Sequence, residues 1–413
     1  MSARAEQLQR DVWTRASAPR TIGFIGIALG FFALWLALPP FVVRTAPAPV
    51  AVGILAAAAG IWAISRREYR VGGGAIMIGI FGIAVAVLAM RATSANLRDV
   101  FVWSALIAAT LRYATPLTFA AIGGMFSERS GVVNIGLEGM MLMGAYFGAY
   151  GADVTGSWVA GVFIGVVSGA VLAFIHAIFS IHLRADQIVS GTAVNFLALG
   201  VTGYLYNQHY GNNGTPNDLP AIPDVNLKFL SHIPPSGFGD FLYNSIGQLN
   251  LMVWLSLLLL PVAYVVMFKT PAGLRIRSVG EHPRAADTLG ISVYGIRYAA
   301  VTLSGALAAL GGVFLSIGFV NSFTENMTAG RGFIALAALI FGGWRPFGAF
   351  AAALLFGFSS ALASRLPDLS ASDSAAWPLL FQTLPYVLTL VAVAGVIGRS
   401  IPPAAVGRPY IKQ

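Results

Sequence analysis

Few of the side chains in this sequence could carry chemistry, and their spacing argues against most kinds of it. There is no cysteine, so disulfides, thiolate metal sites and thiol nucleophiles are excluded. The five histidines, His176, His182, His209, His232 and His282, stand without metal-ligand spacing, and no metal is expected. A polytopic enzyme would need His, Asp or Glu clustered near one interface, yet the acids are dispersed. The three lysines, Lys228, Lys269 and Lys412, never follow glycine in the GxxxxGK[ST] pattern, so that phosphate-binding loop is absent and no cofactor is expected. One segment, Gly280-Glu281-His282-Pro283-Arg284-Ala285-Ala286-Asp287-Thr288-Leu289-Gly290-Ile291, is patterned for contact instead. Pro283 suits a first helical position and Gly290 the position just past an end, which predicts a short helix over Arg284–Leu289. Ala285 and Ala286 would give it a small face able to lie close in a partner's groove, with Leu289 as apolar anchor. An ordinary capped loop helix reads as well from these residues alone.

The elements that must position that segment are membrane spans. Hydrophobic residues make up 57% of the 413 and charged residues only 10%, against about 25% charged in soluble domains. A chain so poor in charge cannot cover itself with a polar surface, so its solvent is lipid. The expected class is an all-α, polytopic transmembrane helix bundle. A span takes about 20 apolar residues. Ten long runs meet this: Ile22–Val43, Gly72–Met90, Val100–Gly123, Val132–Tyr150, Trp158–Ile181, Ile188–Tyr206, Leu249–Phe268, Tyr298–Val320, Phe347–Ala363 and Leu379–Ile397. Val50–Ile64 is marginal and Phe333–Phe341 too short for a regular crossing, giving ten to twelve spans.

With both termini cytoplasmic and all twelve runs crossing, eighteen of the 25 basic residues fall inside and six outside. That is a positive-inside bias, although Arg91 and Arg98 fit it poorly. The net charge of +9 is spent on orientation, and no basic stripe points to nucleic acid. Met1 to Arg20 reads as a cytosolic tail, not a signal peptide. The Glu281 segment then lies in an inner loop, Lys269 to Arg297, and the longer Asn207 to Gly247 loop lies outside.

Inside the runs, Gly161, Gly165 and Gly169 form GxxxGxxxG, a signal for close helix packing. Asn134 and Glu138 share one helix face. An acid in an apolar run faces a cavity or a partner, so Glu138 is either a pathway residue or a satisfied helix–helix contact, the second reading being favoured. Glu128 and Arg129 could pair. Phe333–Phe341, ended by Gly342-Gly343-Trp344-Arg345-Pro346, points to a broken or re-entrant helix, of which a crossing with a distorted end is preferred because an even number of spans keeps the C-terminus inside; Ala121–Phe126, with its Gly123-Gly124, is a weak counterpart.

Glu-x-x-x-Ala-Ala-x-x-x-Gly-Ile in an inner loop resembles the coupling motif of ABC importer permeases. The segment Phe126–Gly139 (FSERSGVVNIGLEG) and the stretch Ala185–Asn195 resemble the sugar, nucleoside and branched-chain amino acid permeases, and the first is most similar to nucleoside permeases. The resemblance covers roughly Pro116 to Ile397. It implies a ribose-permease-like helical bundle and alternating access. It also implies an ATPase-coupling loop carried by Glu281, Ala285, Ala286, Gly290 and Ile291, and the short helix read from the residues themselves adds Pro283, Arg284 and Leu289 to that candidate loop. Asn134, Glu138 and Asn195 become pathway candidates.

Implied partners are a separate ABC ATP-binding subunit, a second permease subunit (a paralogue) and an extracytoplasmic substrate-binding lipoprotein. The expected setting is the bacterial inner membrane, with nucleosides ahead of simple sugars as cargo. Residues 96–400 form the expected core, 401–413 a cytoplasmic tail, and 1–95 an extension with up to three extra spans and no assigned role. A secondary transporter or channel is the alternative. It would need ionisable residues near mid-span, where the sequence offers few beyond Arg112 and Glu138.

Overall fold

The computed structural model describes residues 18–37, 47–91, 102–211, 214–216, 218–365 and 401–412. The chain divides into two compact units, Met1–Trp103 with Leu362–Arg399, and Ser104–Ala361 with Ser400–Gln413. The expected span at Leu379–Ile397 lies outside the described residues.

In the first unit, α1 (Ala18–Ala37), α2 (Pro47–Ser65) and α3 (Tyr69–Arg91) pack mutually. Glycines set the approach: a Cβ on Gly60 would fall 2.5 Å from the Gly72 carbonyl oxygen, and one on Gly79 would fall 2.7 Å from that of Gly53. Side chains too small to hold the backbones apart replace hydrophobic drive, which lipid removes.

The second unit holds α4 (Trp103–Arg129), α5 (Leu137–Thr155), α6 (Trp158–Ala177, continued as a π-helix over Ile178–His182) and α7 (Gln187–His209). A loop subdomain follows, with strand β1 (Asp224–Asn226), α8 (Ser236–Ile246) and strand β2 (Gln248–Asn250). The strands pair antiparallel, Val225 opposite Leu249. Then come α9 (Leu251–Lys269), α10 (Pro271–Glu281), α11 (Pro283–Thr288) and α12 (Val293–Val313, continued as a π-helix over Phe314–Val320). Last are α13 (Arg331–Phe341) and α14 (Pro346–Arg365).

Seven helices among the described residues are long and apolar enough to cross a membrane, and three shorter apolar segments join them: Thr21–Leu34, Val71–Ile83 and α13. The protein is an all-α polytopic bundle. Its centre is α5, most of whose residues are buried and which packs on α6, α7 and α12. The expected GxxxGxxxG contact is present: a Cβ on Gly161, Gly165 or Gly169 would lie 2.6, 2.8 or 2.9 Å from the carbonyl oxygens of Gly148, Gly144 and Gly305. Outward positions such as Phe163, Phe196 and Val159 are exposed apolar side chains, as a lipid-facing rim requires.

Three expectations are corrected. The run Val132–Tyr150 is not one helix, because Val132–Gly136 is non-helical and α5 starts at Leu137. The Gly123-Gly124 pair breaks nothing: α4 runs through it to Arg129, and Gly123 instead lets α12 approach, a Cβ there falling 2.6 Å from the Ser304 carbonyl. Glu128 and Arg129 do not pair with each other. Glu128 Oε2 accepts from the Trp344 indole at 2.5 Å, and Arg129 Nη2 donates to the Trp344 carbonyl at 3.1 Å. Together they tie the end of α4 to the turn that closes α13.

Candidate functional site

Two polar regions of the second unit require explanation, and the non-helical stretch 130–136 is the first. Inside a bundle every freed backbone group must find a partner, and here side chains supply them. Gln187 Oε1 accepts from the Val133 N–H at 2.7 Å, and His176 Nε2 lies 3.1 Å from the Val133 carbonyl. A carbonyl only accepts, so His176 carries its proton on Nε2, leaving Nδ1 to accept from Ser190 at 3.0 Å. Asn195 bridges the break: its Nδ2 donates to the Ile135 carbonyl at 3.0 Å and its Oδ1 accepts from the Gly139 N–H at 2.8 Å. Asn134 donates to Ser304 on α12 at 2.9 Å, while its Oδ1 has no partner in the structure.

Glu138 belongs to the same region. Its Oε1 accepts from the Gly330 N–H at 2.8 Å and its Oε2 from the Gly332 N–H at 2.5 Å. It is only 8% exposed. The carboxylate therefore caps the first turn of α13, satisfying donors no intrahelical carbonyl can reach and sitting at the positive end of the helix dipole. Gly332 is small because Glu138 needs the space: a Cβ there would fall 2.5 Å from the Glu138 Cα. At about 1.5 Å per residue the eleven residues of α13 reach roughly 16 Å, half the ~30 Å of hydrocarbon. So α13 is a half-helix, too short to cross as a regular span, and Glu138 closes its N-terminal end. Asn134, Glu138 and Asn195 thus come together, each bonded to protein.

The second region is the segment 280–291. Helix α11 runs Pro283–Thr288, with Pro283 at its first position, where a missing N–H costs nothing. His282, at φ −138° and ψ 77°, separates it from α10. Gly290 sits at φ +79°, so its lack of a Cβ permits the exit turn, in which Ile291 N–H returns to the Ala286 carbonyl at 3.1 Å. The paired alanines split, which corrects the expected two-alanine face. Ala286 is 2% exposed and packs with Val279, Val293 and Tyr410, while Ala285 is on the outside with Arg284. Leu289 is 80% exposed. It borders an open cleft of about 510 Å³ whose lining includes Phe126, Arg275, Ile276, Ile291 and Leu303.

Glu281 is exposed but bonded to the C-terminal tail. Its Oε2 accepts from the Ala404 N–H at 3.1 Å, and the neighbouring Gly280 carbonyl accepts from the Ala405 N–H at 2.9 Å. Sequence reasoning missed this contact with the C-terminal tail. Tyr410 donates to Asp287 Oδ2 at 2.7 Å, and burial together with that carboxylate pushes its phenol up to about 12, so it stays a donor at any physiological pH. The only available signal was Tyr410 itself, the one aromatic residue among the last thirteen.

The comparisons decide the family. A family model described as "Branched-chain amino acid transport system / permease component" matches residues 106–393, most of the chain. The chain belongs to this permease family. Among curated proteins it is 44% identical to the guanosine ABC transporter permease protein NupQ of Bacillus subtilis, over 75% of this chain and 97% of that one. It is 41% identical to the nucleoside ABC transporter permease protein NupC of Lactococcus lactis, over the same shares of the two chains. No solved structure matches it. The permease is accordingly a multi-pass protein of the bacterial inner membrane, as the apolar helices require. The matched region starts after the α1–α3 unit.

Proposed function

We propose that the chain is the membrane-spanning subunit of an ABC importer that moves nucleosides by alternating access, driven by a separate ATP-binding subunit that docks on α11. The observation that carries the docking reading is the side-chain distribution around this helix. Ala286 is anchored in the permease, while Leu289 stands in solvent at a fixed turn. A leucine 80% exposed forgoes most of the roughly 1.5–3 kcal/mol that full burial would give, which a partner's groove would recover. Arg284, Pro283, Ala285, Gly290 and Ile291 shape that projection, and Glu281 holds its base. On this reading both termini are cytoplasmic and ten to twelve spans cross. A paralogous second permease completes the pathway, and an extracytoplasmic lipoprotein delivers the solute.

Nucleoside selectivity is supported by the relatives' names and by one local feature. The half-helix N-terminus that would attract an anionic solute is already occupied by Glu138. Uncharged polar solutes suit such a pathway better than carboxylates or phosphates. Asn134, Glu138 and Asn195 act on the pathway by fixing its unwound wall rather than by touching cargo.

The test is uptake of labelled guanosine into proteoliposomes holding this chain with the permease, ATPase and binding-protein subunits of its own system. ATP-dependent accumulation that Leu289→Asp abolishes supports the reading. Uptake that follows an ion gradient without any ATPase would replace it with a secondary transporter, and ribose preferred over guanosine would replace the cargo alone.

A further inference from the structure

The C-terminal tail, residues 401–412, has no role in the docking just proposed, yet it is bonded to everything around the docking helix. Besides the Ala404–Glu281 and Ala405–Gly280 bonds, Gly407 N–H donates to the Gly131 carbonyl at 3.2 Å, in the turn between α4 and the unwound stretch. Arg297 of α12 completes the knot. It is 1% exposed, and its Nε donates to the Ser130 carbonyl and its Nη1 to the Arg408 carbonyl, each at 3.2 Å. Tyr294 donates to the Tyr410 carbonyl at 3.2 Å and stacks edge-on with that ring at 5.6 Å. Tyr410 in turn reaches Asp287 on α11.

A six-residue helix has little stability of its own, and α11 is separated from α10 by the non-helical His282. On α10 and its own turns alone, α11 would pivot. The tail removes that freedom at both ends, through Glu281 just before α11 and Asp287 within it, and carries the constraint to Ser130 and Gly131.

We propose that the C-terminal tail is a brace that makes α11 and the start of the 130–136 stretch move as one body, so that a push on α11 reaches the pathway wall. Tyr410, Asp287 and Arg297 are its positioning residues. The inference rests on the docking reading, and the experiment separates the two.

Full complexes in proteoliposomes would carry Asp287→Ala, Asp287→Asn, Tyr410→Phe or Leu289→Asp, with two readouts: ATPase-subunit association and ATP consumed per guanosine imported. Asp287→Ala and Tyr410→Phe are expected to keep association near wild type while raising ATP per guanosine by about tenfold, the scale of one charge-assisted hydrogen bond. Asp287→Asn, whose side-chain oxygen still accepts from Tyr410, restores the ratio, and Tyr410→Phe combined with Asp287→Ala is no worse than either alone. An unchanged ratio in both single variants, or additive losses in the double, overturns the brace. Association surviving Leu289→Asp overturns the docking reading instead.

Discussion

The Glu138 region and the α11 region each tie a glutamate to backbone N–H groups, one buried in the bundle and one exposed on a loop, and they differ in what is left outside. Glu138 spends both carboxylate oxygens on the first turn of α13, and its neighbours Asn195, Gln187 and His176 are spent on the 130–136 backbone. Around α11 the carboxylates of Glu281 and Asp287 are bonded to the C-terminal tail, and Leu289 is left outside. A satisfied polar group belongs to the fold, whereas an exposed apolar one outside the lipid-facing spans calls for a partner. Residue type alone did not separate the two regions. Partner atoms did.

The sharpest way to break this contrast is through the packing that supports the Glu138 side. A Cβ on Gly312 would overlap the Met141 carbonyl on α5, so Gly312→Ala is expected to cost at least about 3 kcal/mol or to prevent folding. Thermal unfolding in detergent, or loss of the monodisperse species, reads it.

Glu138→Ala should follow, at about 2–3 kcal/mol, because it strands two donors at the end of α13. Glu138→Gln should recover part of that, since one oxygen can still accept. Equal stability of the alanine variant and the wild type would remove Glu138 from the fold and return it to the pathway.

On the other side the expected stability effects nearly vanish. Leu289→Asp should leave the unfolding midpoint unchanged within error, because the side chain has almost nothing to lose, while ATPase-subunit binding measured by pull-down or interferometry falls by about tenfold or more. Gly290→Ala sits between, costing about 1 kcal/mol from the positive φ with open space around the new methyl. Its effect should appear in binding as a misdirected Leu289.

Much of this was legible in the sequence for one reason. Apolar run length is a strong signal in lipid, and the expected Trp158–Ile181 and Val50–Ile64 runs return as helices Trp158–His182 and Pro47–Ser65. The half-helix α13 was legible because a short apolar run ended by Gly-Gly cannot cross regularly. The unwound stretch 132–136 was not, since Val132, Val133 and Ile135 are as apolar as the helix they precede. What unwinds it are Gln187, His176 and Asn195, 50 or so residues away, and no local pattern reports a hydrogen bond of that span. The same holds for the tail on α11, where the partners of Ala404 and Tyr410 lie more than 120 residues back. For Ala286, spacing put it beside Ala285, but only packing against Val279 and Val293 shows which of the two faces inward.

Whether a partner covers Leu289 can be measured directly, because the chain has no cysteine. Leu289→Cys would be the single thiol in the permease, and its maleimide labelling rate can be followed with and without the purified ATPase subunit. Labelling at Leu289→Cys should be fast alone and at least about tenfold slower when the ATPase is bound, with Phe163→Cys on the lipid-facing side of α6 unaffected. Equal rates at Leu289→Cys, with the ATPase demonstrably bound, would contradict it.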